Sequence, residues 1–315
     1  MRRAGLMIAF ASSWCFAFSG PMAKYLAAAG LAPLEAVWVR MMGAGLLLAG
    51  ILMIIKPRAL RVPRSRLPFF LAYAVIAVAG VQALYFAAIT RLPVGIALLI
   101  EFTAPVLVVL WVRFVRRIRL SPAAFVGAVV AVIGLGVVVE VWSGLSLDPV
   151  GLLLAFGAAA CCAGYFLLSD GFGDDVDPLG LIAWGMLGAA VALLPFAQPW
   201  NIPWEAFTLT VAPEGGHALP ALGAVIWMIL VATVLGYILG VTAVRRLSAA
   251  IGSTVASLEV IAGAVIAWVL VGEALGPFQV IGGLTVLTGA YLAQRATVAP
   301  PVPPGAEVRE PVRVA

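Results

Sequence analysis

Apolar runs of about twenty residues, broken by short polar stretches, fill the chain from residue 5 to residue 294. A helix rises about 1.5 Å per residue, so each run is long enough to cross a hydrocarbon core about 30 Å thick. The pattern predicts ten spans, at 5–25, 34–55, 67–88, 94–114, 120–140, 150–169, 179–197, 219–243, 249–271 and 276–294. The longest internal polar break is 198–218. Beyond residue 295 the periodicity stops in a Pro-rich tail with nothing to bury, which is expected to be disordered.

The apolar pattern also repeats. Between Thr90 and Tyr291 a shift of 155 positions lays Arg91-Leu92 on Arg246-Leu247, Ile96 on Ile251, Pro122 on Pro277, Gly127 on Gly282 and Gly134 on Gly289. A shift of 146 lays Gly5 to Phe10 on Gly151 to Phe156 and Cys15 on Cys161, and the nine-residue difference fits within the polar break at 198–218. The expected fold is an all-α integral membrane protein of two five-helix repeats, 1–143 and 144–295, followed by the tail 296–315. Five crossings per repeat force the second to enter from the opposite side, so the repeats are inverted. That plan is common among secondary transporters.

Composition agrees: 64% of residues are hydrophobic, 10% are charged, and mean hydropathy is +1.14. Of the 19 basic residues, all but Lys24, Arg91 and Arg40 fall on one side of the ten-span path, which places both termini in the cytoplasm. The acidic loop 170–177 opposes this, but acids contribute little to orientation. The net charge of +5 then follows from topology and implies no nucleic-acid partner. Arg2-Arg3 before an apolar run resembles a signal peptide, yet the repeat partner at 150–169 lies mid-chain, so the first span is expected to be retained.

Several chemistries are set aside. Cys15, Cys161 and Cys162 all lie within spans without a C-x-x-C spacing, and His217 is the sole histidine, in the break at 198–218. No metal, disulfide, cofactor or His-based catalysis is expected.

Charge at membrane depth is the informative chemistry, because an ionisable group there costs about 2–3 kcal/mol or more and usually faces a partner or a water-filled path. Glu259 lies near the middle of the ninth span and Glu101 within the fourth. The repeat lays Glu259 on Ala104 and Glu101 on Ala256, each one turn from the other copy's acid. Arg40 inside the second span and Lys24 at the outer end of the first supply positive charge. Such a set suits a zwitterion, with acids for its ammonium and bases for its carboxylate. Pro21 and Pro105 are expected to interrupt the first and fourth helices and free backbone groups. The candidate substrate site is Glu259, Glu101, Arg40, Gln82, Tyr85, Lys24 and Trp14, with Glu259 and Glu101 also as proton carriers. Trp38, Tyr165, Trp184 and Tyr237 are further candidates for shaping the cavity. Structural readings stay open: Glu101 pairing with Arg40 or Arg91, Glu259 with Ser253, Thr254 or Ser257, Lys24 reaching outward to headgroups, and Glu273 as a helix-end residue.

The stretch Leu92 to Pro105, containing Glu101-Phe102-Thr103-Ala104-Pro105, together with Ser257-Leu258-Glu259 and Gly272-Glu273-Ala274-Leu275, resembles the EamA-type transporters of the drug/metabolite transporter superfamily. Within it, the Glu-Phe-Thr-x-Pro and Ser-Leu-Glu pieces look most like the threonine/homoserine exporter branch. The resemblance covers all but the tail. It implies ten helices in two inverted repeats, a cell-membrane location and export of small metabolites, amino acids among them, by alternating access with possible proton antiport. Where the family carries a second Gly-Glu element after the fourth helix, this chain has Arg117-Ile118. Other metabolites or drugs as substrates, facilitated diffusion, and an intramembrane enzyme acting on lipid-linked substrates are the alternatives. Direction, coupling and oligomeric state stay open.

Overall fold

The computed structural model of the protein describes residues 2–117, 122–138, 147–169, 176–246 and 258–297. The first span is α1 (Arg2–Ala17) and α2 (Ser19–Ala28), and the second is α3 (Pro33–Ile55). The third runs from α4 (Leu67–Ala72) through a π-helical stretch, Tyr73–Gly80, into α5 (Val81–Ile89). Then come α6 (Val94–Glu101), α7 (Ala104–Phe114), α8 (Pro122–Val138), α9 (Pro149–Ser169) and α10 (Pro178–Ala197). A second π-helical stretch, Leu230–Leu235, joins α11 (Ala221–Ile229) to α12 (Gly236–Arg246), before α13 (Leu258–Val271) and α14 (Pro277–Thr297). Helices α3, α8, α9, α10 and α14 each open on a proline, which needs no intrahelical donor there and arrives with a helical φ.

Among the described residues, seven helical stretches are long and apolar enough to cross a membrane: Ala4–Ala28, Pro33–Ile55, Arg64–Ile89, Val94–Phe114, Pro149–Leu168, Pro178–Ala197 and Ala221–Ala243. The other three expected spans correspond, among the described residues, to the shorter apolar helices Phe125–Val138, Leu258–Val271 and Pro277–Leu292. The start of the expected ninth span, with Ser253, Thr254 and Ser257, lies outside the described residues, as do most of the acidic loop and most of the tail. Large apolar side chains such as Met7, Ile54, Leu153 and Phe196 point away from the protein, as lipid contact requires. The break at 198–218 holds 3₁₀ turns at Pro199–Asn201 and Trp204–Thr208, and β1 (Thr210–Val211) pairs antiparallel with β2 (Leu219–Pro220). The eighth span therefore starts at Ala221 and not at 219, because the ribbon engages Leu219 and Pro220.

Helix pairings recur with the two repeats exchanged. Helix α3 packs on α10, α8 on α14, α1 on α12 as α5 does on α9, and α1 on α13 as α6 does on α9. The repeat-equivalent helices that pack on each other, α3 with α10 and α8 with α14, run antiparallel. Lys56 at the end of α3 pairs with Asp177 at the start of α10, while Gly45 meets Leu187 further along. Asp177 also caps α10 by accepting from the Leu179 and Gly180 amides. Partial burial works against its charge, but Lys56 and these amides hold its carboxyl below the usual carboxylate value.

The α8–α14 contact shows why glycine recurs. A β-carbon on Gly134 would lie 2.9 Å from Gly282 O, and one on Gly289 would lie 2.6 Å from Gly127 O. The shift of 155 exchanges these two contacts. The backbones themselves touch, which only small residues permit. We expect Gly289→Ala to destabilise the protein by about 1–3 kcal/mol through overpacking. Gly136→Ala, on the same helix as Gly134 but with nothing within 4 Å, should be neutral. Thermal unfolding in detergent checks both, and equal melting temperatures would contradict the packing described.

Candidate functional site

The first and fourth spans break where proline chemistry dictates, three residues before each ring. A proline lacks the N–H that would continue the ladder and crowds the preceding turn. Pro21 thus interrupts its span at Phe18, and Pro105 interrupts its span at Phe102-Thr103. The breaks place Ser19 at the start of α2 and Glu101 at the end of α6.

Arg40, two turns into α3, is only 2% exposed. Its Nε donates to Thr233 Oγ1 at 2.8 Å, and its Nη1 donates to Gln82 Oε1 at 2.6 Å and to Ser19 Oγ at 2.5 Å. The guanidinium lies 5.5 Å from the centroid of the Phe86 ring, a cation–π contact. Each charge-assisted hydrogen bond contributes about 1.5–3 kcal/mol, offsetting the several kcal/mol of desolvation. Thr233 is held by its place in the π-helical stretch: its hydroxyl donates to Met228 O at 2.7 Å, five residues back, and so turns a lone pair toward Arg40. Gln82 lies two residues beyond the other π-helical stretch. Such stretches favour functional sites.

Glu101 and Glu259 are both half-buried. Among the described residues neither has a basic partner within 4.0 Å. The charges of Arg40, Glu101 and Glu259 nevertheless lie within electrostatic reach of one another. The fold therefore gathers Arg40, Gln82, Tyr85, Tyr237, Glu101 and Glu259 into one region. Tyr85 is 4% exposed, and its hydroxyl is buried without a hydrogen-bond partner among the described residues. One cation and two acids without direct partners can hold a zwitterion, and either acid can exchange a proton for an ammonium.

Lys24 and Trp14 lie apart from this cluster. Lys24 forms an ion pair with Glu273 and donates to Leu92 O at 3.3 Å, while Glu273 Oε2 accepts from the Val94 amide at 2.8 Å. Gly272, with φ +77°, ends α13 in the left-handed conformation and turns Glu273 toward α6. Beside it the Tyr25 hydroxyl meets His217 O at 2.9 Å and Leu270 O at 2.8 Å. These contacts make a polar clamp at one end of the bundle, linking the two repeats. Trp14 is 36% exposed beside Phe10. Trp184 is also exposed, donating to Leu60 O at 2.9 Å, whereas Tyr165 packs on Tyr73 and Tyr237 packs edge-on to Phe16. Arg91 pairs with Asp148, not with Glu101. Ser19, Phe86 and Thr233 carry no charge and do not stand out by ionisable chemistry. For Thr233 a signal exists, as a lone threonine in the apolar run from Ala221 to Gly236. Among the described residues no three His, Cys, Asp or Glu side chains converge.

Comparison with known proteins agrees with this architecture. The EamA-like transporter family matches residues 3–140 and again 149–294. The chain is 31% identical over 247 residues to the threonine/homoserine exporter RhtA of Escherichia coli strain K12, covering 77% of this chain and 76% of that protein. It is 30% identical to the RhtA of Salmonella typhimurium strain LT2 over the same shares. It is also 25% identical to the uncharacterized transporter YwfM of Bacillus subtilis strain 168, covering 72% of this chain and 75% of that one. A crystal structure of a protein 19% identical in sequence superposes with a TM-score of 0.61, covering 94% of this chain and 98% of that one. Two matched repeats, several helices able to cross a membrane, and this identity to exporters make the chain a multi-pass membrane protein that belongs to the EamA-like transporter family.

Proposed function

We propose that this protein is a secondary transporter of the cell membrane that exports small amino acids of the threonine and homoserine kind by alternating access, with proton movement in the opposite direction. The observation that carries this reading is the pair of half-buried acids, Glu101 and Glu259, lying beside the buried Arg40 without a direct basic partner among the described residues. The relatives named threonine/homoserine exporters support the substrate class. No step of this scheme needs an enzymatic residue.

In this reading the ten helices cross the membrane as two inverted repeats, 1–143 and 144–295, with the basic loops and both termini in the cytoplasm. Antiparallel packing of equivalent helices and the exchanged pairings support it. The substrate ammonium and a proton compete for the acids. A proton taken up from outside releases the ammonium outward, and its loss inside readies the acids for the next molecule. The clamp of Lys24, Tyr25 and Glu273 then lies at the outer end, so outward release requires it to open.

Counterflow of L-threonine in proteoliposomes tests the site. Glu259→Gln and Glu101→Gln each remove a charge-assisted contact, so exchange should fall about tenfold or more and lose its pH dependence. Exchange that keeps its rate and pH profile in both variants would overturn the reading. The clamp has its own readout. With Cys15, Cys161 and Cys162 replaced by alanine, Ala23→Cys places a thiol at a buried position beside Lys24. Adding Tyr25→Phe and Lys24→Met should speed its labelling by a membrane-impermeant maleimide, and an unchanged rate would count against an outer gate there.

A further inference from the structure

We infer that Arg40 Nη2 and the Tyr85 hydroxyl form a single carboxylate-binding fork, so that the ligand of this site must carry a free carboxylate. The inference deepens the transporter reading and rests on it for the identity of the ligand.

A guanidinium has five N–H donors. In Arg40 the Nε donor goes to Thr233, and the two on Nη1 go to Ser19 and Gln82. The two on Nη2 donate to no described residue. The Tyr85 hydroxyl is a neutral donor, buried and without a hydrogen-bond partner among the described residues. An unmet buried donor costs about 1–3 kcal/mol, so the Tyr85 hydroxyl calls for an acceptor, which the unused donors of Nη2 can share.

The same elements bring them together. Tyr85 lies one turn beyond Gln82, on the same face of α5. Gly20 follows Ser19 on α2, and a β-carbon there would lie 2.5 Å from the Tyr85 hydroxyl oxygen. Ser19 and Gln82, which hold Nη1, are thus helix neighbours of Gly20, which the hydroxyl abuts, and of Tyr85, which carries it. Among the described residues no acid supplies the acceptor, since neither Glu101 nor Glu259 comes within 4.0 Å of the guanidinium. A ligand carboxylate does: one oxygen accepts from Nη2 and the other from the Tyr85 hydroxyl, as charge-assisted hydrogen bonds. Ser19, Gln82 and Thr233 are positioning residues that present Nη2 and fix the direction of the fork. Glu101 and Glu259 are left for the ligand's ammonium.

The test measures the melting temperature of the detergent-solubilised full chain with L-threonine, 2-hydroxybutyrate, which is a carboxylate without the amine, and L-threoninamide. L-Threonine and 2-hydroxybutyrate should raise it in the wild type and the amide should not. Tyr85→Phe removes a hydroxyl that has no partner, so the ligand-free protein should be as stable as wild type or more so. Its apparent affinity for both carboxylates should still fall about tenfold. Thr233→Val should lower that affinity similarly, and Thr233→Ser should restore it. An amide that stabilises as well as the acid, no stabilisation of the wild type by either carboxylate, or unchanged affinity in Tyr85→Phe would each overturn the fork. Counterflow separates it from the transporter reading. If carboxylates stabilise the protein through Tyr85 but no amino acid is exchanged, transport of amino acids falls and the fork stands. If L-threonine and its amide exchange equally, the fork falls and transport stands.

Discussion

Burying the guanidinium of Arg40 in an apolar helix bundle costs several kcal/mol unless its donors are met. Meeting them draws in the first, third and eighth spans at once, through Ser19, Gln82 and Thr233. Each of those side chains reaches Arg40 because its span departs from regular α-helix nearby: a break at Phe18, and the two π-helical stretches at Tyr73–Gly80 and Leu230–Leu235. The irregularities that cost helical hydrogen bonds therefore sit where a side chain must be delivered to the interior. With Arg40 fixed, other polar groups of the interior, Tyr85, Tyr237, Glu101 and Glu259 among them, are set around a charge of known direction.

Duplication explains much of the remainder. Exchange of the two repeats relates the glycine contacts of α8 and α14, the pairings of α1 with α12 and α5 with α9, and the positions of the two π-helical stretches. The site itself is not symmetric. Arg40 comes from one repeat and Thr233 from the other, and Glu101 and Glu259 stand one turn out of register. A duplicated scaffold thus carries one asymmetric polar cluster at the seam between its halves, with the Lys24–Glu273 ion pair closing the seam at one end.

How far the fold was legible in the sequence depends on the kind of signal. Spans are written in one dimension, so runs such as 34–55 and 94–114 map closely onto Pro33–Ile55 and Val94–Phe114. The ribbon at Thr210–Val211 and Leu219–Pro220 carries no alternation long enough to read. For the site, charge in an apolar run pointed to Arg40, Glu101 and Glu259 because the desolvation cost is large. It failed to separate Lys24, whose partner Glu273 lies 249 positions away and reaches it only through the left-handed turn at Gly272. Ser19 and Thr233 escaped for the opposite reason: a hydroxyl in a helix can satisfy itself on its own backbone, and only the tertiary fold reveals that these two accept from a buried arginine.

The central claim is that a ligand ammonium and a proton compete for Glu101 and Glu259 beside Arg40. It is tested most directly by adding L-threonine to the purified protein in weak buffer and reading the protons released. Net release on binding by the wild type, lost in the Glu101→Gln, Glu259→Gln double variant while that protein stays folded, is the expected result. L-Threonine binding with no proton release, or with the same release from the double variant, would contradict it.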